Sequence, residues 1–397
     1  MSINSQNKIT QNVPKLRFLG FSDEWEEKRL GEFVLDYKLG GNYENTESVT
    51  EFPLIKMGNL GRGSFNLKKI EYIKKNSVIN PDDRIKTGDL FFNTRNTLDL
   101  VGKVAIWRNE LVESYFNSNI MRLTFECNEF MNFYLNSHRG LSTLRAIATG
   151  TTSVAAIYTK DLMRIKTIVP SVLEQKKISN FLEATDRFIK NLQKQKDSLE
   201  SYKKGIMQKI FSQEIRFKDE KGKDFPDWTK KKLGMICAIN KGKQLNREGL
   251  SKSSGFPVVN GGMEPSGYTD VWNTASGTIT ISEGGNSCGF VNLIQENFWC
   301  GGHCYALLNM HDEISYLFLH QYLKFLEKKI MRLRVGSGLP NIQKKDLDKL
   351  KLLLPSLFEQ QKISVFLISL DKMIESKQEQ INKAEKWKKG LMQGLFV

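Results

Sequence analysis

The chain has 397 residues, enough for two or three domains with real cores. An apolar share of 40% with 24 Phe excludes wholesale disorder, and a formal charge of +15 points to a polyanionic partner, nucleic acid before a membrane surface. No apolar run approaches the roughly 18 residues of a membrane span, the opening "MSINSQNKITQNVPKL" lacks the apolar core of a signal peptide, and Cys127, Cys237, Cys288, Cys300 and Cys304 show no paired framework, so a reducing cytoplasm is expected.

Residues 1–30 form an N-terminal segment that runs into "FSDEWEEKRLG", ending at Gly31. Residues 31–159 read as a mixed globule, with strand-like runs such as "GKVAIW" between Gly/Asn turns and a late helical stretch, "NEFMNFYLNSHRGL". In residues 160–213, Ile178, Leu182, Ile189, Leu192, Leu199 and Ile206 fall mostly three or four apart with Lys, Gln and Glu between them. That spacing predicts an amphipathic helix of about 35 residues. Lys196 and Lys203 interrupt its stripe, and Gly205 stands near its end, where a kink or a cap fits. "SQEIRFKDEKGKDFPDW" is a turn-rich passage into residues 214–344, a second mixed globule with "GTITI" and "GFVNLI" as strands and "EISYLFLHQYLKFLEKKIMRL" as helix. Residues 345–397 carry a second stripe, Ile363, Leu367, Leu370, Ile374, Ile381, Leu391 and Leu395, interrupted by Lys377 and Lys388, with Gly390 near the end.

The chain says the same thing twice. "LEQKKIS" from Leu173 returns as "FEQQKIS" from Phe358, Pro170-Ser171 as Pro355-Ser356, Asp186 as Asp371, and "KKGIMQKIF" from Lys203 as "KKGLMQGLF" from Lys388, always 185 residues on. Trp25 and Leu30 return as Trp228 and Leu233, 203 residues on, so the intervening inserts differ in length by 18 residues. They differ in sequence as well. A constant frame thus surrounds a variable insert, twice. Each helix either packs on its own globule or on its counterpart, and the matching of the two stripes favours the second. A duplicated frame with unlike inserts suits a B-DNA target, whose local twofold lets two segments be addressed. A helix of this size, roughly 50 Å, would span up to about 15 base-pair steps and act as a ruler for an asymmetric two-part site.

With "EWEEKRLGEF", "TKDLMRIKTIVPSVLEQKKISNFLEATD" and "KKDLDKLKLLLPSLFEQQKISVFLISLD", the chain resembles the specificity subunits of type I restriction-modification systems over essentially its full length. "INKGKQL", "GGMEPSGYTD" and "TITISEGGNSCGFVN" are similar to passages in that family's recognition domains. The resemblance implies an α+β fold, with two mixed α/β target-recognition domains in a pseudo-twofold arrangement, separated by two long helices in an antiparallel coiled coil. It also implies partners: double-stranded DNA, two modification subunits that bind S-adenosylmethionine and methylate adenine N6, and restriction subunits that use ATP and Mg2+. The helical frames are the expected docking surface for the modification subunits. An autonomous DNA-binding regulator on the same frame is the alternative.

Candidate DNA contacts follow from residue chemistry. In the first insert Arg62, Lys68 and Lys69 stand beside flexible glycines, Asn93, Arg95 and Asn96 follow an apolar strand, and Arg139 and Arg145 precede a Gly/Thr turn. Arg grips guanine O6 and N7 and Asn pairs with adenine, so Arg95 reads a base or holds a phosphate, while Arg139 and Arg145 suit phosphate. In the second insert Lys241, Lys243 and Arg247 form a basic loop, Asn260, Ser266, Tyr268, Glu283 and Asn286 lie on Gly-rich loops, and Arg332 and Arg334 match the first insert's arginines by position. Glu283 suits cytosine N4. Cys288, Cys300, His303 and Cys304 invite zinc, but their spacing departs from the common finger pattern and buried thiols are expected. No Walker segment, adenine-methyltransferase motif or defensible nuclease cluster is visible, so catalysis is expected to come from partners.

Overall fold

The structure is a computed structural model that describes residues 12–246, 250–336 and 340–396. The chain divides into two compact units, Met1–Gln193 with Glu379–Val397, and Lys194–Gln378. Among the described residues no helix is long and apolar enough to cross a membrane.

In the first unit β1 (Glu26–Arg29) will pair with a strand far along the chain. A four-stranded antiparallel sheet is built from β2 (Asp36–Leu39), β3 (Leu90–Asn93), β4 (Val104–Ile106) and β5 (Ile120–Thr124), in the order β2-β5-β3-β4. β3 is buried throughout and apolar apart from Asn93, because strands flank it on both sides and α1 packs on it. α1 (Asn128–Asn136) packs on this sheet, and α2 (His138–Ile147), capped by Ser137, packs on α1. The partner of β1 is β6 (Lys166–Val169), in register from Glu26↔Val169 to Arg29↔Lys166. A long helix, α3 (Val172–Phe211), follows Pro170 at once.

The second unit repeats this plan. β7 (Thr229–Lys232) precedes a sheet of β8 (Ala238–Lys241), β9 (Thr278–Ser282), β10 (Val291–Ile294) and β11 (Cys304–Leu308), in the order β8-β11-β9-β10. Then come α4 (Tyr316–Phe325), β12 (Lys351–Leu354), which pairs with β7, and the second long helix, α5 (Leu357–Leu395). The two long helices have 40 and 39 residues, so each is about 60 Å long, more than the stripes alone suggested. Gly205 and Gly390 lie inside them, ahead of the last turn, and neither is a cap.

The apolar stripes serve the globules and the helix pair together. In the first unit Ile178 and Leu182 enter a core with Trp25, Leu30, Phe130 and Tyr134, joined by Leu395 of α5 and Phe396 just beyond its end, with Leu391 against it. Further along, Ile189 and Leu192 meet Ile381 and Ala384. Rising numbers on α3 meet falling numbers on α5, so the helices run antiparallel. In the second unit Ile206, Met207, Ile210 and Phe211 of α3 join Ile363, Leu367 and Leu370 of α5 around Phe318 and Tyr322. Leu199 and Ile374 are half-buried.

Two of the lysines that break the stripes form ion pairs from one long helix to the other, while Lys196 pairs with Glu200 on its own helix at 3.1 Å. Lys388 Nζ lies 2.5 Å from Asp186 in the first unit, and Lys203 Nζ 2.5 Å from Asp371 in the second. These are the same pair under the 185-residue repeat. Gln321 also donates to Asp371 at 2.8 Å, which fixes the carboxylate.

The repeated Glu-Gln performs the same task in both units. The Gln175 side chain donates to Pro170 O at 2.9 Å, and that of Gln360 to Pro355 O at 2.9 Å, which anchors each helix start. Glu174 is almost fully buried and accepts from Arg17 Nε and Nη2 at 2.9 and 2.8 Å. Glu359 accepts from Arg216 Nε and Nη2 at 3.2 and 2.8 Å, and also from Trp228 Nε1 at 3.1 Å. The equivalent Trp25 Nε1 is buried without a hydrogen-bond partner among the described residues. Beside each fork an aromatic pair recurs, Phe18–Phe181 at 5.4 Å and Phe217–Phe366 at 5.8 Å. The backbone completes the match. Ile215 N donates to Lys209 O at 3.1 Å, and Leu16 N to Gly394 O at 2.8 Å.

Because Glu359 serves one donor more than Glu174, Glu359→Gln is expected to destabilise the chain by about 2 kcal/mol and Glu174→Gln by less. Urea unfolding of the two variants, followed by fluorescence, checks the order.

Candidate nucleic-acid interface

The two sheets share a register, so their strand ends can be compared position by position. Asn93 at the end of β3 pairs with Ile120, and Ser282 at the end of β9 pairs with Cys304. The next residues, Thr94 and Glu283, therefore occupy the same place. Thr94 Oγ1 donates to Asn119 O at 3.0 Å, and Glu283 N donates to His303 O at 2.9 Å. On the adjoining strands Leu39 pairs with Met121, and Lys241 with Tyr305. One fold position thus carries two chemistries: Leu39, Thr94 and Met121 in the first unit, Lys241, Glu283 and Tyr305 in the second.

In the first unit Arg95 is exposed at a recess of about 280 Å³ with Leu39, Thr94, Asn119 and Tyr158, and has no ion-pair partner among the described residues. Asn93 is corrected by the structure. It is fully buried, its amide reaches towards Leu100 O and its Oδ1 accepts from Arg95 N at 3.2 Å, so it shapes the turn and offers no atom to a ligand. Asn96 Oδ1 accepts from Thr97 N at 2.9 Å.

A basic cluster forms nearby. Gly63 N donates to Val104 O at 2.7 Å, which brings the Arg62 loop against Lys103. Gly102, at φ +71°, packs against Leu144 in the space a side chain would fill, which brings up the helix that carries Arg145. Partial burial and then Arg145 push Arg62 down from its ordinary value, and burial and Arg62 push Lys103 down. The Arg62 guanidinium donates to Asp99 O at 3.1 Å. Burial and mutual repulsion, with no carboxylate ion-paired to Arg62, Lys103 or Arg145 among the described residues, are what an anion would relieve. Lys103 was missed in the sequence because only the fold sets it beside Arg62. Of the other candidates, Lys68 is exposed, Lys69 is paired with exposed Glu47 at 2.6 Å, and Arg139 lines a separate recess with Ser137, Met392 and Phe396.

In the second unit Glu283 Oε1 accepts from Lys241 Nζ at 2.6 Å and Tyr305 OH at 3.2 Å, and Oε2 lies 3.8 Å from His303 Nδ1. Burial, then Glu283, pushes the Tyr305 phenol up to about 12. Asn260 Oδ1 accepts from His303 N at 3.0 Å and packs where a side chain on Gly301 would stand, so Asn260 braces the loop. Ser266 Oγ donates to Val258 O at 3.1 Å, and Tyr268 is half-buried in a short strand. Lys243, Asn286, Arg332 and Arg334 are exposed, and Arg247 lies outside the described residues. The structure thus gathers Lys241, Asn260 and Glu283 around His303 and Tyr305.

All five cysteines are free and buried, and burial pushes the Cys237 thiol up to about 12. Among the described residues no group of three His, Cys, Asp or Glu is placed to hold a metal ion.

Residues 22–201 and 226–386 match the family model of the type I restriction modification DNA specificity domain. Two proteins of Methanocaldococcus jannaschii that carry the names of type I restriction enzyme specificity subunits, MjaX and MjaVIII, are 25% and 24% identical over 418 residues. Each alignment covers 98% of this chain, with 96% and 95% of the relatives. Among solved structures, the type I restriction-modification S subunit of M. genitalium aligns with a TM-score of 0.65 at 21% identity, covering 97% of this chain and 99% of the other. A chain from work on complex assembly and conformational transition of the type I R-M system aligns with a TM-score of 0.57 at 18% identity, covering 93% and 96%.

For the basic cluster, Arg62→Ala and Arg145→Ala are each expected to weaken duplex binding similarly across sequences and to lower the slope of log affinity against log salt by about 0.9. Fluorescence-anisotropy titrations at several salt concentrations check this.

Proposed function

The chain belongs to the family of type I restriction-modification DNA specificity proteins, and on that premise we propose that it reads an asymmetric two-part site and recruits two copies of one modification subunit to it. Unlike chemistry at the matched strand ends supports an asymmetric site, since the two units offer different groups to the bases. The observation that carries recruitment is a matched set of exposed apolar side chains on the long helices. The first unit shows Leu173, Phe188 and Trp387, and the second shows Phe358, Met373 and Tyr202. Members of the two sets correspond at 185 residues, and each residue is at least half exposed. Large apolar side chains kept outside at repeated positions favour two equal docking events.

In this reading the chain is a non-catalytic targeting subunit in the cytoplasm. S-adenosylmethionine binds in the modification subunits, and ATP and Mg2+ in the restriction subunits. The ~60 Å helices set an upper limit on the separation of the half-sites, about 18 base-pair steps.

A genome-wide map of modified adenines, in cells with and without this chain, tests the reading. A split asymmetric motif that vanishes with the chain is expected, whereas an unchanged map would favour an autonomous DNA-binding protein. Phe188→Asp and Met373→Asp are each expected to weaken capture of one modification subunit roughly tenfold or more, by titration calorimetry, while the helical circular dichroism is unchanged.

A further inference from the structure

We propose that Glu283 reads one base of the second half-site by accepting a hydrogen bond from the exocyclic amine of cytosine or adenine, with Lys241 and Tyr305 as positioning residues. This rests on DNA reading by the second unit and names the group that does it.

The fold does not require the cluster. The same positions in the first unit hold Leu39, Thr94 and Met121, and that sheet forms in the same strand order. A carboxylate drawn from water costs desolvation that its partners only partly offset, and apolar replacements of such pairs are often neutral or better. A cluster that the architecture does not require needs another reason.

Its geometry supplies one. Lys241 and Tyr305 both act on Oε1. Oε2 carries no hydrogen bond among the described residues, yet the side chain keeps 12% of its surface open. The residues beside it are small. Gly284 and Gly285 follow directly, and a side chain built at Gly285, at φ +73°, would meet nothing within 4 Å. The side-chain positions of Gly284, Gly301 and Gly302 are closed by Pro340 O, Asn260 and Gln244, so the opening lies at Gly285. Such a mouth admits an edge that a longer side chain would hold off.

An ionised carboxylate can only accept, so it selects donors. In the major groove the base donors are cytosine N4 and adenine N6, whereas the O6 and N7 of guanine and the O4 of thymine are acceptors that it would repel. Phosphate is disfavoured for the same reason. Lys241, held at Oε1, offsets the charge that would otherwise oppose approach to DNA.

The test uses the chain assembled with its modification subunit and a duplex library randomised through the second half-site. Two variants are compared with the wild type. Glu283→Gln keeps the shape but adds a donor, and Lys241→Leu with Glu283→Thr copies the first unit's own residues. Both are expected to keep the first half-site and the melting temperature. Both should lose roughly ten- to a hundredfold of discrimination at one position, which the wild type reads as C or A. The library itself separates cytosine from adenine. Unchanged preferences in folded variants would overturn the proposal. So would loss of folding in both, or equal loss at every position of the half-site, since either identifies Glu283 as a brace between strands. A wild-type complex without any preference in the second half-site would instead remove DNA reading by this unit, and the role of Glu283 with it.

Discussion

A carboxylate shut away from water must be met by charged or strong donors, and Glu174 and Glu359 are met by arginines 157 and 143 residues away. Each bidentate fork ties the segment before an insert to the helix after it. The insert between them is therefore held at both ends by a contact that does not depend on its own sequence. Trp25 and Trp228 press on the same join, against Phe130 and Phe318 at 6.3 and 6.4 Å. The glutamine next to each glutamate anchors the helix to the proline before it, so the helix direction and the strand pairing β1–β6 or β7–β12 are set together.

This arrangement separates what must stay constant from what is free to change. The sheet at the centre of each insert keeps strand order and register, because those depend on alternating apolar residues buried against the helices. The strand ends do not share that burden. Leu39, Thr94 and Met121 in one unit and Lys241, Glu283 and Tyr305 in the other stand on equivalent backbone. Recognition chemistry can change there with little effect on the core, which is why binding residues concentrate at loops carried by a rigid scaffold.

The helices show how the ionic and apolar parts of the frame cooperate. Lysines that look like flaws in an apolar stripe, Lys203 and Lys388, are used as repeat-related partners for Asp371 and Asp186. Partly buried ion pairs add modest stability but penalise wrong registers, since a one-turn slip would leave charges against apolar side chains. The apolar residues that the pairing does not use, among them Phe188 and Met373, remain exposed at matched positions.

The sequence by itself determined the doubled frame, the two long amphipathic helices, the unlike inserts and the basic charge, because repeats and periodicity are local properties of the order of residues. It also placed strands at "GKVAIW", "GTITI" and "GFVNLI", where apolar runs between Gly and Asn leave few alternatives. Only the tertiary structure decided which residues act together. Asn93 looked like a base reader and is buried, since the strand it ends lies at the centre of a sheet. Lys103 drew no notice until Gly63 and Gly102 brought Arg62 and Arg145 beside it. The partners of Glu174, Glu359 and Glu283 were equally invisible, because a contact across tens to more than a hundred residues is set by chain packing and leaves no periodic trace in the sequence.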